Sequence, residues 1–171
     1  MPNLFRSLLL ALAFTFVVTG CGAPVDESAT PQRIAVTPKN AARYVHAYEP
    51  TVGERAAKVA LGAVGVPYRW GGESPSGGFD CSGLVRWAFA HVGVDLPHSS
   101  YALFDLGRRV TPKRLEPGDL LFFYGLGHVG VYLGGGRMVH APSSGRTVEV
   151  VRLAGTSYGT RLVGARRIVA A

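Results

Sequence analysis

An α+β fold is predicted, with N-terminal helices packed on one side of a mostly antiparallel sheet of five to six strands, and three observations predict it. Up to about Leu106 the apolar residues recur at helical spacing. Beyond it they gather in short β-rich runs, and clusters of Gly, Pro and Ser separate those runs. The chain has 171 residues, 47% of them hydrophobic and 17% charged, with 23 Gly and 11 Pro. That is globular composition, which excludes a collagen, a coiled coil or a repeat array and supports one domain.

Taken in order, Ala56, Val59, Ala60, Ala63 and Val64 form an amphipathic stripe that predicts a first helix ending before Gly65 and Pro67. A turn-rich loop from Gly65 to Gly78 follows. Leu84, Val85, Ala88, Phe89 and Val92 then mark a second helix stopping at Gly93, with Asp80 as its N-cap and Cys81 in its first turn. A short third helix is expected from Ser99 or Ser100 to Leu106. The predicted strands are Leu120–Phe123, His128–Leu133, Arg137–His140, Thr147–Val151 and Arg161–Val169.

The N-terminus reads differently. Leu8 to Val18 is an apolar run broken only by Thr15, too short to span a bilayer as a mature helix. It ends in Val18-Thr19-Gly20-Cys21, which resembles the lipobox of bacterial lipoprotein signals. That resemblance implies a signal peptide over 1–20 and a Cys21 that becomes the acylated N-terminus, with palmitate-type chains holding the protein in a membrane. Gly22 in place of Asp favours the outer membrane, facing the periplasm, if the cell is Gram-negative. Residues 21–50, with Pro24, Pro31, Pro38 and Pro50 and no apolar periodicity, read as a flexible lipid-anchored tether, and 51–171 as the folded domain. The net charge of +7 suits an anionic partner, and export removes nucleic acid from the candidates.

With Cys21 acylated, Cys81 is the only thiol, so no internal disulfide can form. A lone thiol in an oxidising compartment exposes the chain to oxidation, and one at a helix N-terminus is favoured as thiolate. Of the five histidines, His46 lies in the tether, His91 ends a helix and His98 follows a Pro, so structural or solvent roles are expected for these three. His128 and His140 lie on consecutive strands joined by Gly134, Gly135 and Gly136. If Leu133 pairs with Arg137 across a three-residue turn, His140 lies opposite Gly130 and diagonal to His128 on one face, with Val129, Val131 and Leu133 facing the core. A two-residue turn would instead send the two rings to opposite faces. One Cys and two His on this layout suit nucleophilic catalysis, with His128 taking the thiol proton and His140 orienting His128. A structural zinc site would lack its fourth ligand.

The motifs PYRWGG at 67–72, GFDCSGLV at 78–85, LPHSS at 96–100, LEPGDLLFF at 115–123, HVGVYLGGG at 128–136 and MVHAP at 138–142 resemble, in that order, the NlpC family of bacterial cell-wall cysteine peptidases. The resemblance runs from about Glu54 to Ile168. It implies a papain-like fold with Cys81 as nucleophile, His128 as base and His140 as third polar member. It also implies substrate-binding roles for Tyr68, Asp80 and Ser82, the last two at positions that in some members hold the free amine of a stem peptide. Gly71, Gly72, Gly83, Pro117 and Gly118 read as backbone requirements, and Asp119 as a turn or strand-start residue. Members hydrolyse amide bonds of peptidoglycan stem peptides, between D-γ-glutamyl or D-alanyl and diaminopimelate, through a thioester. No cofactor or metal and a monomeric state are expected. The segments 73–78 and 124–127 are expected to wall the cleft. The alternatives are another cysteine amidase or acyltransferase on the same fold, and a catalytically silent wall-binding lipoprotein.

Overall fold

The computed structural model describes Tyr48 to Val169. The expected signal peptide, the acylated Cys21, His46 and all but the last three residues of the tether lie outside the described residues. None of the described helices is long and apolar enough to cross a membrane.

Helix α1 (Val52–Leu61) starts where a capping box permits it: the Thr51 hydroxyl accepts the Glu54 N–H, and the Glu54 carboxylate accepts the N–H of Thr51. Its buried face is Gly53, Ala56, Ala57 and Ala60. The predicted stripe is therefore corrected at one end. The helix stops at Leu61, Val64 falls in the following turn and is exposed, and Gly53 and Ala57 extend the face instead. Small residues on that face let α1 lie close to α2 (Cys81–Ala90), which buries Leu84, Val85, Ala88 and Phe89 between α1 and the sheet. The short α3 (Ser100–Phe104) begins at an N-cap, Ser99, and ends two residues earlier than expected.

The sheet has six strands: β3 (Arg108–Val110), β4 (Leu120–Phe123), β5 (His128–Gly134), β6 (Arg137–His140), β7 (Glu149–Arg152) and β8 (Leu162–Arg167). Their spatial order is β3-β8-β4-β5-β6-β7, and every neighbouring pair is antiparallel. Central β4 is fully buried. Leu120 and Phe122 face the helices, while Leu121 and Phe123 face a second apolar cluster with Val110, Met138 and Ala165. Both sides of the sheet are thus covered, where the sequence had suggested helices on one side alone. The second side is closed by Leu153, Tyr158 and the one-turn helix α4 (Ser157–Thr160). Strand β3 and a two-stranded ribbon of β1 (Glu73–Ser74) and β2 (Gly78–Phe79) were not expected, because runs of two or three residues are too short to carry an alternation.

The β5–β6 hairpin departs from the expected turn yet keeps the expected faces. Gly134, not Leu133, pairs with Arg137, so the turn has two residues, Gly135 and Gly136, both at positive φ. A register shift between Tyr132 and Gly134 absorbs the extra residue, and from Tyr132↔Met138 and Val131↔Val139 inward the pairing is the one that sets His140 across from Gly130. Val129 and Val131 are fully buried towards the helices, with Leu133 packed beside them.

Candidate active site

Asp80 organises the start of α2. Its Oδ1 accepts the Gly83 N–H at 2.6 Å, the Ser82 hydroxyl at 3.1 Å and lies 2.9 Å from His98 Nε2, while its Oδ2 accepts the Gly71 N–H at 3.0 Å. One carboxylate therefore caps the helix and holds the preceding loop against it. Gly83 has to be glycine: a Cβ there would lie 2.0 Å from the carbonyl oxygen of Gly72, which crosses directly over the first turn. His98 was expected in a structural or solvent role. It is half-buried, lines the cleft beside Cys81, and faces Glu73 at 3.5 Å with its other nitrogen.

With the Gly83 N–H taken by Asp80, the N–H groups of Cys81 and Ser82 are left without helical partners and approach the Cys81 sulfur, as does the backbone N–H of Val129 on β5. These donors pull the thiol pKa down. Burial and the Asp80 charge push it up, burial most strongly, and the net direction is upward. The expectation of a lowered thiol at a helix N-terminus is reversed for this reason.

His128 opens β5 and His140 ends β6. Their rings meet at 2.9 Å between His128 Nε2 and His140 Nδ1, at nearly right angles. Both are buried, and burial lowers each pKa to about 4, the neighbouring His140 adding to the effect on His128 and Arg146 to that on His140. At neutral pH both rings are uncharged. The facing nitrogens are spent on each other, and among the described residues no group of three His, Cys, Asp or Glu is placed to hold a metal ion. Tyr158 of α4 packs against both rings, with centroids 5.8 Å from His128 and 4.9 Å from His140. It lies in a Gly- and Ser-rich stretch without periodicity, so the sequence carries no signal for it.

Cys81 and His128 line one cleft of about 400 Å³ with Tyr68, Trp70, Asp80, Ser82, Tyr101, Gly127 and Pro142. Burial, Cys81 and Asp80 raise the Tyr68 pKa, so the phenol stays protonated beside the sulfur. The expected walls are corrected. Residues 73–78, in the β1–β2 ribbon and its turn, contribute no lining residue, Glu73 standing behind His98, while Gly127 represents the 124–127 loop and the 98–101 segment supplies a further wall. That loop is held in a strained shape, with Tyr124 at φ 52° and Leu126 at φ 74°, and the Ser100 hydroxyl donates to the Leu126 carbonyl at 2.6 Å.

The model of the NlpC/P60 family matches residues 65–167. A probable endopeptidase of Mycobacterium tuberculosis is 51% identical over 114 residues, which are 64% of this chain and 29% of that protein. Peptidoglycan endopeptidase RipA of the same species is 38% identical over 138 residues, 71% of this chain and 29% of RipA. Murein DD-endopeptidase MepH of Escherichia coli is 38% identical over 128 residues, 68% of this chain and 47% of MepH. The chain therefore spans less than half the length of each of these relatives. Among solved structures, an NlpC/P60 family protein from Bacillus cereus superposes with a TM-score of 0.66 at 33% identity, over 71% of this chain and 42% of that one. The peptidoglycan hydrolase RipB of M. tuberculosis superposes at 0.61 with 34% identity, over 80% and 70%.

Proposed function

The chain belongs to the NlpC/P60 family, and from that premise we propose that it is a peptidoglycan endopeptidase that hydrolyses an amide bond of a stem peptide or crosslink, D-γ-glutamyl–diaminopimelate or D-alanyl–diaminopimelate, through a thioester on Cys81. The observation that carries this reading is the cleft itself, which holds the Cys81 thiol, N–H groups of the α2 start that have no helical partner, and a neutral His128 bonded to His140.

The residues have distinct tasks. With His128 Nε2 committed to His140, His128 Nδ1 is the nitrogen free to take the Cys81 proton as sulfur attacks the carbonyl carbon. The N–H groups at the helix start and the protonated Tyr68 hydroxyl stabilise the oxyanion. Collapse breaks the amide, the leaving amine takes the proton back from His128, and water, activated by the same ring, hydrolyses the thioester. Ser82 and the Oδ2 of Asp80, which accepts only the Gly71 N–H among the described groups, hold the ammonium of the stem peptide.

We further propose that residues 1–20 are removed as a lipoprotein signal, that acylated Cys21 anchors a monomer in the cell envelope, and that residues 21–50 tether the domain to the membrane. Cys21→Ser then moves the protein out of the membrane fraction, and unchanged membrane retention would contradict the anchor.

The activity is tested by mass spectrometry of linear and crosslinked muropeptides incubated with the full chain and with its Cys81→Ala variant. Cleavage by the unmodified chain alone is expected and identifies the bond; intact substrates in both would refute the reading.

A further inference from the structure

His140 is fully buried, and its Nε2 has no hydrogen-bond partner. An orphaned ring nitrogen in a fully buried site is costly, and a carboxylate that can resolve it stands directly across the β6–β7 pairing. Glu149 is the cross-strand partner of His140, and its Oε1 lies 3.5 Å from His140 Nε2. Arg146 grips the same carboxylate through Nη2, at 2.6 and 2.7 Å from the two oxygens.

A neutral imidazole carries one proton, and which nitrogen holds it decides what the ring can do. We infer that Glu149, held by Arg146, is a positioning residue that sets the tautomers of His140 and His128 and so aims a free nitrogen at Cys81. The inference rests on the proposed roles of Cys81 and His128. The carboxylate draws the His140 proton to Nε2, which leaves His140 Nδ1 as an acceptor. His128 must then carry its proton on Nε2 to complete the 2.9 Å bond, and its Nδ1 is left bare as the base. The opposite tautomer of His140 would place an N–H against His128 Nε2 and move the His128 proton to Nδ1, where it blocks the thiol.

Arg146 has a second effect. A lone carboxylate beside a buried histidine favours the imidazolium, which cannot act as a base. The guanidinium cancels that charge, so the pair steers the proton without adding one. The titratable or charged groups facing His140 are His128 from β5, Glu149 from β7, Arg146 from the loop before it and Tyr158 from α4.

The test uses the full chain labelled with ¹⁵N-histidine, alongside Glu149→Gln, Glu149→Leu and Arg146→Gln. In the unmodified chain at pH 7, the ¹⁵N shifts place the protons of both His128 and His140 on Nε2. Glu149→Leu populates the Nδ1–H form of His128 and lowers kcat on muropeptides by about 10-fold or more with KM unchanged, and Glu149→Gln, whose amide oxygen still accepts from His140 Nε2–H, does both to a smaller extent. Arg146→Gln keeps the tautomers and raises the pH at which His140 takes a second proton. An Nδ1–H His140 in the unmodified chain, unaltered tautomers in both Glu149 variants, or an unaltered His140 titration in Arg146→Gln would overturn the inference. Lack of turnover by the unmodified chain counts against the proposed function instead, and the spectra still decide the tautomers.

Discussion

Gly130 and His140 face each other across β5 and β6 with no room for another carbon: a Cβ built on Gly130 would lie 3.3 Å from the Cβ of His140 and 2.8 Å from the sulfur of Met138. The Met138 side chain can turn aside, but the His140 Cβ is fixed to the strand. Gly130→Ala is therefore expected to cost about 1–3 kcal/mol in a urea titration, as overpacked cores do. On the proposed mechanism the accompanying shift of His140 is expected to lower kcat on muropeptides by about 10-fold or more, because a small misplacement of reacting groups is expensive. The same stability loss with full activity would show that the position of His140 does not matter to the reaction.

The two buried imidazoles also tie stability to pH. Each folded-state pKa lies at about 4, below the ordinary value of 6.5, so the folded chain binds fewer protons than the unfolded one between those limits. Their contribution is complete above pH 6.5 and is lost as pH falls through 4, at about 3 kcal/mol for the first ring to be charged. Carboxylates titrate in the lower part of that window, so the comparison is with the double variant His128→Gln/His140→Gln. The urea midpoint of the unmodified chain should fall more steeply between pH 7 and 4.5 than that of the double variant. Parallel curves would mean that the rings are not held neutral.

Asp119 was expected as a turn or strand-start residue, and it does more. It is 1% exposed, accepts Arg167 Nε and Nη2 at 2.6 and 2.8 Å, and accepts the Glu116 N–H at 2.8 Å, so it joins the entry of β4 to the end of β8. Arg167 is also paired with Glu116. Asp119→Ala removes two charge-assisted hydrogen bonds from Arg167, which keeps Glu116 and the Arg114 carbonyl, and leaves the Glu116 N–H without its acceptor, so it is expected to destabilise the fold by about 1–3 kcal/mol. Asp119 lies outside the cleft lining, so kcat measured well below the transition should not change. A loss of activity without a loss of stability would reverse that assignment.

The elements that place Cys81 and the two histidines were legible because local rules and burial agree there. Asp80 followed by Cys81 and an apolar helical stripe reads as a cap and a helix, and both form. The pairing of His128 with His140 depends on register, and the expected faces form although the turn has two residues and not three. Whether the ladder bulges at Leu133 is decided by how the hairpin twists, which alternation cannot report. Tyr158, Glu149 and Arg146 come from segments whose side chains matter only once β7 and α4 fold over β6. Trp70 and Tyr101, 89% and 59% exposed, stand on the cleft rim with no periodic pattern around them.

The resting state of the thiol follows from two opposed shifts. Burial outweighs the helix-start N–H groups and raises the Cys81 pKa, while burial lowers that of His128 to about 4, so at pH 7 neither group has cause to ionise the other. If Cys81 and His128 act as proposed, the proton moves to His128 as sulfur attacks, not beforehand, starting from a neutral thiol and a neutral imidazole. Alkylation by iodoacetamide reads the thiolate directly. Its rate should rise with a midpoint above the value of about 8.5 for an unperturbed cysteine, and stay slow at pH 6. His128→Ala should leave that midpoint nearly unmoved, because no imidazolium is present to lower it. Fast alkylation at pH 6 that His128→Ala abolishes would instead establish a preformed thiolate–imidazolium pair.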